Sequence, residues 1–311
     1  MVNFSTLVCS GCFFMTERIY SMNQVSLQAL LEAGCHFGHK AERWHPRASE
    51  FIFTEKDGVH IIDLAKTKAG LDAAMTFVSD LVGNGGEVLF VGTKRQAKQI
   101  VKAAALDAGA PYMVERWIGG FMTNWEGIHR NIKKINSLAD GQADGSWKKF
   151  PKHEQFKLAR RLNRLKIFYG GVLTLNSMPS AIFVVDVKKE IAAVREAQRC
   201  GLPVVAIVDT NSNPTDIDYI VPANDDAIGS ISIVTEAIAS AYKSGHDTWL
   251  KKQADVLAKK EADKQKAEAA VKPEVKKVEV KEAPAVDTSK LETKAKKAAK
   301  KEVVAETPKA V

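Results

Sequence analysis

Several places along the 311-residue chain bring together side chains able to do chemistry. Cys35-His36-Phe37-Gly38-His39, with His45 beyond it, groups a thiol with three imidazoles in a stretch read as a loop. Metal binding is one reading of such a cluster, though its spacing matches no established ligand pattern. Beside them stand Lys40, Arg43, Trp44 and Arg47, and imidazole, indole and cationic groups together also suit phosphate and base-stacking contacts. Phe90-Val91-Gly92-Thr93-Lys94-Arg95 reads as a strand end, a turn and a helix start capped by Thr93. Free N–H groups at such a start favour phosphate. Lys94 and Arg95 would lie where the helix dipole is already positive, at a cost of roughly 0.3–1 kcal/mol per charge unless an anion is present. A phosphate contact is the expectation there. Asp209-Thr210-Asn211-Ser212-Asn213-Pro214, with Asp216, Asp218, Asp225 and Asp226 nearby, has the oxygens for a hard cation. Asp and Asn are also the default turn residues, and the turn reading is preferred. No metal and no cofactor are expected.

Enzyme chemistry finds little support. No G-x-x-x-x-G-K-[ST] is present, and no G-x-G-x-x-G follows a strand. Gly83-Asn84-Gly85-Gly86 precedes a strand and reads as an ordinary loop. No Ser/His/Asp or Cys/His order suggests a nucleophile. Cys9-Ser-Gly-Cys12 is a lone C-x-x-C, and Cys9, Cys12, Cys35 and Cys200 are too few for a disulfide framework, which fits a reducing cytoplasm. The longest apolar runs, such as Val204–Val208, are too short to span a bilayer. Residues 1–21 make a poor signal peptide, because no basic residue precedes the apolar part. They are expected to be an overhang or disordered, with Met22 as the natural start.

The charge is unevenly placed. The chain carries a net +8. Residues 129–169 hold 11 Lys and Arg against three Asp and Glu, while the rest of residues 1–250 holds 17 against 23. One short segment therefore makes the body basic, which is an electrostatic footprint for a polyanion. In that segment Trp125, Ile128, Ile132, Ile135 and Leu138 recur at helical steps, and so do Leu158, Leu162 and Leu165. Between them lies the turn-rich stretch Ala139–Ser146. Each arm has one narrow apolar seam, so the two bury their seams against each other as an antiparallel, coiled-coil-like hairpin over 123–168. Arg130, Lys133, Lys134, Lys157, Arg160, Arg161, Arg164 and Lys166 then face largely outward. The loop Arg116-Trp117-Ile118-Gly119-Gly120 through Asn124-Trp125 leads into the hairpin; its aromatic pair suits core, RNA contact or hinge support alike.

These groups need a scaffold. Strands are predicted at Phe51–Phe53, Val59–Ile62, Glu87–Val91, Tyr112–Glu115, Ala181–Val185, Val204–Val208 and Asp218–Val221. Helices are predicted over Asp63–Leu81, Lys94–Ala108 with Gly109 as its stop, Lys189–Cys200, and Ser230–Tyr242 ending near Gly245. Strands apolar on both faces indicate a mainly parallel sheet covered by helices on both sides, an open α/β fold. Residues 22–122 and 169–246 form that domain, and 247–311 read as a charged helix followed by a disordered Lys/Ala/Glu-rich tail.

The ordered blocks Ala33–His39, Trp44-His45-Pro46, Leu89–Arg95, Arg116–Gly120 with Thr123-Asn124-Trp125, Pro179–Asp186, Gly201-Leu202-Pro203, Ala206–Asn211 and Asn224–Ile228 together resemble one family. It is the bacterial-type small ribosomal subunit protein S-two (S2). The resemblance runs from about Met22 to Gly245. It implies an open α/β domain with a protruding helical hairpin, no catalysis, and a place on the ribosome. The partners it implies are small-subunit ribosomal RNA and neighbouring ribosomal proteins, with ribosomal protein S-one (S1) docking nearby in several bacteria. The RNA-binding residues expected on this combined reading are His36, His39, Lys40, Arg43, Trp44, Lys94, Arg95, Arg116, Trp117, Asn124 and the eight hairpin cations named above. Two other classes, a nucleotide-dependent α/β enzyme and a basic DNA-associated protein, lack respectively a phosphate-cradling glycine motif and a base-reading helix.

Overall fold

The computed structural model describes residues 25–275, and among side chains those of residues 25–256. The expectations for Cys9, Cys12, residues 1–21 and the tail beyond 275 lie outside the described residues. The described residues divide into two units after Gln253, and residues 254–275 of the second are helical.

A short helix α1 (Leu27–Glu32), capped by the Ser26 side chain, leads into a small antiparallel sheet. Its strands are β1 (Phe37–Lys40), β2 (Ile52–Lys56) and β3 (Val59–Ile62), in the order β1-β3-β2. Strand β1 corrects the reading of Cys35–His39 as part of a loop. Its residues have no apolar alternation, so local pattern does not announce it. Tertiary pairing forms it: Phe37 pairs with Ile61 and Lys40 with Val59. Close approach explains Gly38, since a Cβ there would stand 2.7 Å from Thr210 Cγ2.

Helix α2 (Leu64–Gly83), capped by Asp63, then delivers the chain to the main sheet. That sheet comprises β4 (Val88–Val91), β5 (Tyr112–Met113), β6 (Ala181–Val184), β7 (Val204–Val208) and β8 (Tyr219–Pro222). All pairings are parallel, in the order β5-β4-β6-β7-β8. The crossovers carry helices α3 (Lys98–Ala108), α4 (Trp125–Ala143), α5 (Lys152–Tyr169) and α6 (Ile191–Arg199), and α7 (Ile228–Val275) follows β8.

Strand periodicity divides the interior into two cores. Val88 and Phe90, with Ala181, Phe183, Val205 and Ile207, point to the side of α2, α3 and α7. Leu89 and Val91, with Ile182, Val184, Val204 and Ala206, point to the other side. The second core does not stop at the sheet. It continues through Trp117 and Phe121 into Ile128, Ile132 and Ile135 of α4 and Leu162 of α5. The expected hairpin is therefore present and its base is fused to the sheet domain. Truncating Ile135 or Leu162 to Ala would cost about 2–5 kcal/mol. The turn-rich stretch contributes less turn than expected, because α4 runs through Gly141 to Ala143, and Trp147 closes the tip.

Two helix boundaries differ from expectation. Helix α3 starts at Lys98, with residues 94–97 forming a turn before it; Gly109 ends it in the left-handed region at φ +70° as expected. Gly245 does not end a helix, since α7 passes through it. A Cβ at Gly245 would stand 2.6 Å from the Ser79 carbonyl oxygen, so the residue is small to let α7 cross closely over α2.

Candidate nucleic-acid interface

The order β5-β4-β6-β7-β8 reverses direction at β4, and the crevice beyond the carboxyl ends of β4 and β6 is the usual ligand position in such sheets. A charged cluster fills it. Lys94 Nζ lies 2.6 Å from Asp226, 2.8 Å from Asp225 and 3.5 Å from Asp186. His39 joins from β1, with Nδ1 3.1 Å from Asp209 and Nε2 3.3 Å from Asp226. Thr210 holds β1 in place: its hydroxyl accepts from His39 N at 2.9 Å and its carbonyl from His45 N at 2.8 Å.

The charges in this cluster tune one another. Burial, then the nearby Asp209 and Asp186 carboxylates, push Asp225 up to about 7, against the pull of Lys94. Burial opposes the charge on Lys94, but hydrogen bonds to Asp225 and Asp226 push it up to about 12. The hydrogen bond to Asp209 raises His39, and the Lys94 contact lowers Asp226. His39, Asp209 and Asp225 bring ligand atoms within 4.8 Å of one another, a donor set of the kind that holds a divalent cation. Side chains here also shape the loops, as the turn reading expected: the Asp209 carboxylate accepts from Asp225 N, and the Asn224 amide oxygen accepts from Asp226 N and Ala227 N.

This geometry corrects the reading of Lys94. It does not sit in a first helical turn waiting for phosphate; its ammonium is surrounded by three carboxylates. Thr93 is no cap either, since its hydroxyl donates to Glu190. Arg95 alone of that motif is exposed to solvent. Trp117 is likewise interior: it is 8% exposed and its Nε1 donates to Glu196 at 3.1 Å. Of the readings left open for the aromatic loop, core describes Trp117. Asn124 is the N-cap of α4, accepting from Gly127 N. Glu196 carries no signal of its own in the sequence beyond its place beside Ala193 and Ala197, two apolar positions that α6 buries.

The remaining expected residues form two exposed groups. Lys40 ends β1, Arg43 and Trp44 lie in the turn that follows, and Arg116 lies on the loop before the hairpin. His36 is half-buried and packs on Phe37 at a ring distance of 4.0 Å. On the hairpin, Arg130, Lys133, Lys134, Lys157, Arg160, Arg161, Arg164 and Lys166 are all exposed. Among the described residues none of the eight is ion-paired. Lys94 shows the contrast, being a cation that the fold itself neutralises.

The family described as Ribosomal protein S2 matches residues 30–245, most of the chain. The chain belongs to the ribosomal protein S2 family. Among its relatives is the small ribosomal subunit protein uS2 of Parabacteroides distasonis, 45% identical over 255 residues, which cover 81% of this chain and 92% of the relative. The corresponding protein of Chlorobium luteolum is 43% identical over 241 residues, covering 78% and 94%. The matched residues span the hairpin. Among the described residues no helix is long and apolar enough to cross a membrane.

Proposed function

We propose that this S2 protein is a structural, non-catalytic component of the small ribosomal subunit that holds ribosomal RNA through its hairpin and through the turn after β1. The observation that carries this is the pairing of two features on one element: an apolar seam fused to the second core, and eight solvent-facing cations that find no counter-ion among the described residues. A rigid base with an unneutralised basic outer surface suits a phosphate backbone. Arg95 and Arg116 extend the basic surface, while Lys94, Trp117 and Asn124 serve the scaffold beneath it. The test is sedimentation of lysate on a sucrose gradient at moderate salt. The chain should travel with the small subunit. A chain that stays at the top, or a purified protein that hydrolyses nucleotide at an enzymatic rate, overturns the reading.

A finer partner is ribosomal protein S1, which the S2 resemblance implies for several bacteria. A groove of about 440 Å³ between α1 and the small sheet supports it. Leu27, Leu31, Phe53 and Ile61 line it, Phe53 is 74% exposed, and Asp63 is its one charged lining residue. Its lining is mostly apolar, with Gln28, His36 and Asp63 as the polar residues, and suits an apolar protein segment. Leu31→Asp should release S1 from the subunit while the chain itself remains bound.

A further inference from the structure

Helix α5 has a second face, turned away from the seam. Phe156, Arg160, Asn163 and Ile167 recur at steps of four, three and four, and so share one line along the helix. Phe156 is 66% exposed and Ile167 61%. They lie about 16 Å apart along the axis. Neither is needed to close the hairpin, because Leu158, Leu162 and Leu165 already do so. The Arg160 guanidinium carbon sits 5.2 Å from the Phe156 ring centroid, within cation–π range.

We propose that Phe156 and Arg160 form a stacking platform for an unpaired RNA base, with Lys157 and Arg164 taking the phosphates on either side. This rests on the RNA-binding reading of the hairpin and adds a specific contact to it. Charge selects the occupant. Helix α5 carries six Lys and Arg against the single acid Glu154. An apolar protein surface docked on Phe156 would strip water from these cations and return no counter-charge. RNA supplies a π face and phosphates together. The base must be unpaired, because within an A-form helix its neighbours cover both faces and the rings are beyond reach of a side chain.

The test uses the full chain and two probes, a single-stranded RNA carrying 2-aminopurine and a short RNA duplex. Phe156→Ala should weaken single-strand binding by about 5- to 100-fold and abolish the stacking-induced fluorescence change. It should leave the salt dependence and duplex binding as in wild type. Phe156→Trp should retain both affinity and fluorescence change. Arg160→Lys keeps the charge, so it should reduce the fluorescence change without altering the salt slope. Single-strand binding and fluorescence unchanged in Phe156→Ala overturn the platform. If the triple reversal Arg160→Glu, Arg161→Glu, Arg164→Glu lowers binding of both probes while Phe156→Ala lowers neither, the platform falls and the RNA-binding hairpin stands. If the triple reversal also changes nothing, both fall. Loss of a ribosomal protein from the Phe156→Ala subunit, with both probes bound normally, assigns the face to protein and likewise overturns the platform.

Discussion

The indole of Trp117 donates to the Glu196 carboxylate at 3.1 Å, and that carboxylate also accepts from the backbone N–H groups of Gly120 and Met122. One side chain of α6 thereby pins the loop from which the hairpin starts. Glu196→Ala leaves three donors without their partner and should cost about 1–3 kcal/mol. Amide exchange at Gly120 and Met122 should quicken, with Glu196→Gln intermediate because it keeps one acceptor oxygen. Exchange at the wild-type rate in Glu196→Ala would show that the loop is held by other means.

Lys94 is the cation of the acidic cluster. Lys94→Met keeps the aliphatic length and removes the charge facing Asp186, Asp225 and Asp226. Breaking such a cluster from one side costs about 3–5 kcal/mol. The loss should be greatest at pH 8, where the carboxylates are forced to ionise, and smaller at pH 5, where Asp225 takes up a proton. Urea unfolding at the two pH values checks this; equal losses would refute it.

Asp225 sets a pH dependence of its own. Its folded pKa is raised from 3.8 to about 7, so the folded chain holds a proton that the unfolded chain has already released. Stability from this group is complete below about pH 4 and is lost as pH rises through 7. His39, raised above 6.5 by Asp209, acts in the same direction at higher pH. Asp226, lowered by Lys94, acts oppositely, but its window lies below pH 3.8. Between pH 5 and 8 the cluster should therefore weaken the fold, and Asp225→Asn should flatten that decline. Calorimetric Tm profiles of wild type and variant that run parallel would contradict the assignment.

Gly245 sits where α7 crosses α2. Ala is the better helix former by about 1 kcal/mol. The new Cβ would nevertheless meet the Ser79 carbonyl oxygen at 2.6 Å and the Val82 Cβ at 3.0 Å. Overpacking of this kind typically costs about 1–3 kcal/mol, so Gly245→Ala should lower Tm. A stabilised variant would mean that the crossing has slack.

The triple reversal Arg160→Glu, Arg161→Glu, Arg164→Glu should reduce affinity for ribosomal RNA and flatten its dependence on salt by nearly one unit of log–log slope per lost phosphate contact. These side chains are exposed, so the Tm should hold. An unchanged slope would remove the hairpin from the interface.

The sequence by itself determined the parallel sheet, its two covered faces and the hairpin. Those features follow from periodicity: Val88–Val91 and Val204–Val208 are apolar throughout, and Ile128, Ile132 and Ile135 recur at helical steps. The ordered motif blocks also carried the S2 family. Tertiary structure alone decided what individual polar side chains do. Strand β1 exists because Thr210 and β3 receive it, 171 positions from His39 in the first case. Lys94 and Arg95 are neighbours of like charge, yet one is enclosed by carboxylates from the ends of β6 and β8 and the other meets solvent. Gly245 reads as a helix stop and serves as a crossing point. Periodicity is a local property, written within a few turns of chain. The partner of a charge and the clearance around a glycine are set by segments far away in sequence, so they became legible only once the fold had brought those segments together.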